Sequence, residues 1–202
     1  MSIFTKALQQ GTSKDKVLPG TVKPGSTEAR DWYRDKARSI RSVRVETLVR
    51  SNPEYNRNFV WPGFMYLFQY DPKNKQTLPY YDTFPLIFPF EDQGDSFLAM
   101  NLHYLPHIYR ARLMDSLYDL TNNKRFNETT RIRMSYSLLN AAARYKYFKP
   151  CVKRYLHSHV RSKFLLIPSN EWDVALFLPL ERFSKSSKNI VQSESRRFIN
   201  AL

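Results

Sequence analysis

The chain has 202 residues, 42% of them hydrophobic and 15% aromatic, with 5 glycines and a single cysteine. That length and apolar content build one buried core and exclude an unstructured chain, a disulfide scaffold and a cysteine-based zinc cluster. Lysine and arginine number 32 against 18 acids, a net charge of +14, which calls for an acidic partner such as nucleic acid or an acidic protein face.

The charge is segregated along the chain. Residues 1–57 carry 12 basic and 6 acidic side chains, residues 58–99 carry 2 and 5, and residues 100–202 carry 18 and 7. No apolar run approaches the roughly 20 residues of a membrane span, and residues 1–6 lack the apolar stretch of a secretory signal. No membrane partner is expected.

Residues 1–25 read as an extended basic arm, punctuated by Gly11, Pro19-Gly20 and Pro24-Gly25. A helical pattern begins at Ser26, with Glu28 and Asp31 suiting its N-terminal dipole, and closes at Asn52-Pro53. Ala29, Trp32, Tyr33, Ile40 and Val43 form its apolar face. Arg30, Arg34, Arg38, Arg41 and Arg44 form a separate stripe suited to a phosphate backbone, or to a solvated face paired with Asp31 and Asp35.

Phe64 to Tyr70 is aromatic and strand-like, and Asp71-Pro72-Lys73-Asn74 signals a turn. Leu78 to Asp82, Phe84 to Phe90 and Phe97 to Leu102 supply further strands, their prolines confining them to edges or short pieces. Together these predict a small, mostly antiparallel sheet. Helices are expected over about 107–121, from Asn127 through Ala143, and from Lys149-Pro150 to about His159. Residues 165–167 and 174–178 are buried segments of either type, and a polar tail from 184 to 202 ends in a helix carrying Arg196 and Arg197.

Between Lys124 and Lys163 stand 11 basic residues and one acid, Glu128. Arg131, Arg133, Arg144, Lys146, Lys149, Lys153, Arg154, Arg161 and Lys163 are the candidate nucleic-acid contacts here, with Tyr145, Tyr147, Phe148 and Tyr155 interleaved. Clustered cations displace counterions from phosphate, and exposed aromatics stack on bases. The competing reading places the aromatics in the core and the cations against an acidic protein. No helix-turn-helix, zinc-finger or RNA-binding signature is present, so sequence-specific reading of bases is not expected.

The histidines, His103, His107, His157 and His159, lack the spacing and third ligand of a metal site. Cys151 reads as a small buried residue rather than a nucleophile. Asp82, Glu91, Asp92 and Asp95 are the acids a magnesium nuclease would need, but no further element of such a site follows them. Phosphate-loop, nucleophile-elbow and zinc-protease motifs are absent. No enzyme activity, cofactor or metal is expected.

Several strings carry a family likeness. They are Glu28-Ala29-Arg30-Asp31-Trp32, Tyr70-Asp71-Pro72-Lys73, Leu78-Pro79-Tyr80-Tyr81-Asp82-Thr83-Phe84-Pro85-Leu86 and Asn101-Leu102-His103-Tyr104-Leu105-Pro106. Phe148 to Tyr155 and Ala175 to Phe183 complete the set. Together they resemble the small virion proteins of T4-like contractile-tailed bacteriophages grouped as DNA end protector proteins. The resemblance implies a non-enzymatic structural protein of the particle that contacts the ends of packaged double-stranded DNA and other virion proteins. It supplies no catalytic residues. A tail, baseplate or neck subunit that binds only protein is the alternative.

The expected architecture is therefore a single α+β domain over residues 26–183, flanked by the arm and the tail.

Overall fold

The aromatic segments between residues 64 and 101 do form strands, but the sheet recruits partners from far outside them. The computed structural model describes residues 3–4, 31–32, 35, 43–106, 109–110, 112–115, 117, 137–145 and 147–201. Eight strands lie among these: β1 Asn56–Arg57, β2 Met65–Leu67, β3 Tyr81–Asp82, β4 Leu86–Asp92, β5 Ser96–Asn101, β6 Val152–Leu156, β7 Phe164–Ile167 and β8 Phe183–Ser184. Six make one sheet in the order β1-β7-β2-β4-β5-β6, and β3 pairs with β8 apart from it. Every pairing is antiparallel. The α+β class with a mostly antiparallel sheet is the observed one.

The sheet is covered on both faces, which is why β2 and β4 read as continuous apolar runs instead of alternating ones. On one face Met65, Leu67, Leu86, Phe88, Met100, Leu165 and Ile167 meet the helices of the main core. There the ring of Trp172 sits edge-on to Phe88 at 4.9 Å. The opposite face carries a smaller aromatic cluster centred on Phe68, whose ring lies 4.9 Å from Phe164 and 5.5 Å from Tyr155. Each fully buried side chain of this size contributes about 1.5–3 kcal/mol.

Three helices have defined bounds: α1 Val45–Arg50, α2 Trp172–Phe177 and α3 Lys188–Ala201. Residues 109–110, 112–115, 117 and 137–144 are helical as well. In α3 the buried residues Val191, Gln192, Ser195 and Ile199 follow the helical repeat and face the core. Ile3 and Phe4, within the stretch assigned to an arm, are helical and buried, and the Glu171 carboxylate accepts hydrogen bonds from both of their backbone amides at 2.8 Å.

Four expectations are corrected. The helix predicted from Ser26 to Asn52 is interrupted at Val43-Arg44, because Arg182 donates to the Val43 carbonyl and Arg44 takes a non-helical N-cap conformation before α1. The helix predicted from Lys149 to His159 is instead a 3₁₀ turn, strand β6 and a second 3₁₀ turn. Pairing along the whole of β5 outweighs the weak local helix preference of Val152 to Leu156. Pro89 lies in an interior strand, not an edge, where the register shifts between Pro89 and Glu91 and a bulge relieves the missing donor. Finally, the sheet is not confined to residues 64–102, since β1, β6 and β7 belong to the basic flanks.

Candidate nucleic-acid interface

The pairing of β1 with β7 sets Arg57 opposite Phe164, beside Lys163. The loop Arg161-Ser162-Lys163 that leads into β7 forms a ridge between two clefts. One, of about 290 Å³, is lined by Glu46, Arg50, Asn56 and Gln69 on its far side. The other is a groove of about 1200 Å³ over the aromatic face of the sheet, walled by Phe59, Trp61, Glu91, Asp92 and His157. Arg50, Arg57, Arg161 and Lys163 are all exposed, so four cations from three segments meet around this ridge.

The ridge is anchored by its middle. Ser162 accepts a hydrogen bond from the Gln69 amide at 2.9 Å, and the Arg161 amide donates to the Gln69 carbonyl at 2.8 Å. The Arg161 guanidinium lies 3.7 Å from the Asp71 carboxylate, whose closer partner is Lys75 at 2.9 Å. Hydrogen bonding to Lys75 is the main reason the Asp71 carboxyl is held below its ordinary value, with Arg161 adding to it. The Lys163 ammonium has no partner among the described residues. These exposed pairs leave the cations available to a stronger anion.

A second basic and aromatic patch lies where the helical residues 137–144 end. Tyr109 and Tyr147 stack at 5.7 Å with 20° between their planes, and the Arg112 guanidinium lies 5.9 Å from the Tyr109 ring. Tyr145 stands out 63% exposed, with Arg144 and Lys149 exposed on either side of it. Of the aromatics expected to interleave with these cations, Tyr145 and Tyr147 are at the surface. Tyr155 is instead in the core, its hydroxyl bonded to Asn101 at 3.0 Å.

The candidate cations thus separate into groups. Arg44, Arg144, Lys149, Arg154, Arg161 and Lys163 are exposed. Lys153 is turned inward, its ammonium 4.2 Å from the centre of the Tyr104 ring, and burial lowers its pKa. Arg30, Arg34, Arg38, Arg41, Arg131, Arg133 and Lys146 lie outside the described residues. Sequence reasoning missed Arg57, which a two-residue strand brings beside Lys163, and Arg50, which the end of α1 brings to the same small cleft, and it singled out neither of the exposed Phe59 and Trp61.

The acids do not converge. Asp82 is buried, accepting from Phe84 N at 3.1 Å and Asn101 Nδ2 at 3.0 Å and meeting His103 Nδ1 at 2.7 Å. Glu91 and Asp92 pair with Leu98 and Phe97, about 10–14 Å along β5 from Asn101, and Asp95 lies beyond them in the turn, where Asp92 accepts the amide of Gly94 at 3.0 Å. The left-handed φ of 78° at Gly94 makes that turn. Among the described residues no group of three or more His, Cys, Asp or Glu is placed to hold a metal ion, and no helix is long and apolar enough to cross a membrane.

Cys151 is fully buried, its thiol donating to the Phe148 carbonyl at 2.9 Å, and burial pushes its pKa up to about 12. A thiol-specific reagent at pH 8 should leave native protein unlabelled and react once the chain is unfolded in denaturant. Rapid labelling of the native protein would show that this packing is wrong.

The family described as the phage T4 terminal DNA protecting protein matches residues 18–197. The chain belongs to that family. No curated protein and no solved structure matches it. Both the Arg161–Lys163 ridge and the Arg144–Lys149 patch fall within the matched residues.

Proposed function

We propose that this DNA terminus-protecting protein is a non-enzymatic structural component of the phage particle that holds duplex DNA by its backbone, without reading sequence. The observation that carries the proposal is the ridge: Arg50, Arg57, Arg161 and Lys163, drawn from separate segments, converge around one loop. Arg144, Lys149 and Arg154 add cations elsewhere, and Arg30, Arg34, Arg38, Arg41 and Arg44 are proposed to extend the contact. Cations of this kind release condensed counterions, so binding should weaken steeply with salt.

The test is a titration of labelled linear duplex at several salt concentrations. With about 6 phosphate contacts, affinity should fall roughly a thousandfold between 50 and 200 mM salt. Arg161→Ala combined with Lys163→Ala should flatten the log–log salt slope by about 2 and weaken binding to all sequences alike. Absence of binding at low salt would refute the proposal, and an unchanged slope would remove the ridge from it.

One feature favours additional contact with protein. Ile190 and Phe198 of α3 are 52% and 47% exposed, large apolar side chains that suit docking to another virion component.

A further inference from the structure

The groove beside the ridge displays two large, mainly exposed aromatic side chains. Phe59 is 70% exposed and Trp61 65% exposed, while Val60 between them packs on the aromatic cluster of the sheet. The segment is held in this posture from within. The Trp61 amide donates to the Tyr66 hydroxyl at 3.1 Å, and the following turn passes through Gly63 at a left-handed φ of 87°. The two rings are therefore presented at the mouth of a groove of about 1200 Å³ on a braced loop.

The walls of that groove differ in charge. Arg161 and Lys163 line one side, and Glu91 and Asp92 line another. Arg57, opposite Phe164 in the β1–β7 pairing, stands beside Lys163 and adds a further cation to that side. A continuous duplex laid across this groove would bring phosphates against the acidic wall. A duplex that terminates in it would not.

We propose that Phe59 and Trp61 cap a DNA end by stacking on its terminal base pair, with the last phosphates on the Arg57, Arg161 and Lys163 side. The proposal rests on the DNA-binding reading above and adds to it the means of telling an end from the middle of a duplex. Inside a duplex both faces of every base pair are covered by neighbours, and exposing one costs unstacking energy. At an end one face is already bare. Aromatic stacking on it is tolerant of sequence, so the device would recognise termini without reading them.

The full-length protein is titrated with a blunt linear duplex and with a covalently closed circle of the same sequence. In parallel, 2-aminopurine is placed in the terminal pair or several pairs inward of the linear form. Expected are tighter binding to the linear form by about tenfold or more per end, and quenching of the terminal 2-aminopurine beyond that of the internal one. Phe59→Ala combined with Trp61→Ala should abolish both the preference and the quenching, while affinity for the circle and its salt slope stay unchanged. Trp61→Phe, which keeps a ring, should retain the preference in large part.

The two readings fail differently. No binding of the wild-type protein to either DNA at low salt overturns the DNA-binding function itself. Binding without preference for the linear form, or a double variant that keeps the preference, overturns the stacking cap and leaves the ridge standing. Since both rings are mainly exposed, unfolding curves of the variants should overlay the wild type.

Discussion

Replacing Arg110 by methionine should destabilise the protein by about 3–5 kcal/mol, the cost of leaving one partner of a buried ion pair unpaired. Arg110 is 2% exposed, and its guanidinium joins three segments. It donates to the carbonyls of Leu105 at 2.8 Å, His103 at 3.1 Å and Leu176 at 3.3 Å, and to the Glu181 carboxylate at 2.9 Å. Glu181 is itself only 3% exposed and keeps one other close cation, Lys188 at 2.8 Å. Urea unfolding checks the size, and a loss below 1 kcal/mol would contradict the arrangement. Combining Arg110→Met with Glu181→Leu should recover part of the loss only, because the three carbonyls would still lack donors.

The same cluster sets a pH dependence. Burial opposes ionisation of Glu181, yet Arg110, His103 and Lys188 outweigh it and hold the carboxyl well below the usual range. A carboxylate with a lowered folded-state pKa stabilises fully above its unfolded value, about 4.3, and loses that contribution as pH falls toward the folded value. The stability gap between wild type and Glu181→Gln should therefore be constant near neutrality and shrink below about pH 4.3. A gap that widens on acidification would reverse the assignment.

Phe4→Ala should be nearly as damaging, at about 3–5 kcal/mol. Phe4 is fully buried in the main core, and its amide is tied to Glu171, 167 residues away in sequence. The carboxylate that receives it also receives Ile3, so Glu171→Leu should release the same segment by a different route. Ile3→Val, which keeps the backbone bonds and most of the volume, should cost only about 0.5–1.5 kcal/mol. The ordering of these three variants in denaturant separates burial of the segment from an accidental contact. Equal midpoints for Phe4→Ala and wild type would exclude it from the core.

Much of the sheet was legible because its strands carry local signals. Aromatic and β-branched runs bounded by Asp-Pro and Gly-Asp pairs announced β2, β4 and β5 within a few residues. What escaped was whatever depended on a distant partner. Residues 152–156 look helical alone and become a strand because β5 offers them an edge. Arg44 fits a helical stripe until Arg182, far along the chain, takes the carbonyl of Val43.

The candidate site divides the same way. Arg161 and Lys163 stood out as members of a charge run, whereas Arg57 joined them through the β1–β7 pairing and Arg50 through the small cleft that the end of α1 shares with the ridge. Lys153 shows the converse, a member of the run whose strand register turns it toward Tyr104. The exposure of Phe59 and Trp61 had no sequence signal, since the same composition serves a core equally well. Only Val60 between them, seated on the sheet, reveals which way the rings face.

The interleaving of the sheet also governs when it can form. β4 and β5 are joined by a tight turn and can pair as soon as both are made, but β2 completes its other edge with β7, pairing Met65 with Ile167. Such non-local closure slows folding. On the ribosome the hairpin would wait, with β2 and its aromatic side chains unsatisfied along one edge, until most of the polypeptide had emerged. The cations of Arg161 and Lys163 arrive in the same step that closes the sheet, so a chain that ends before β7 would carry Arg50 and Arg57 alone and have neither the full charge of the ridge nor its shape.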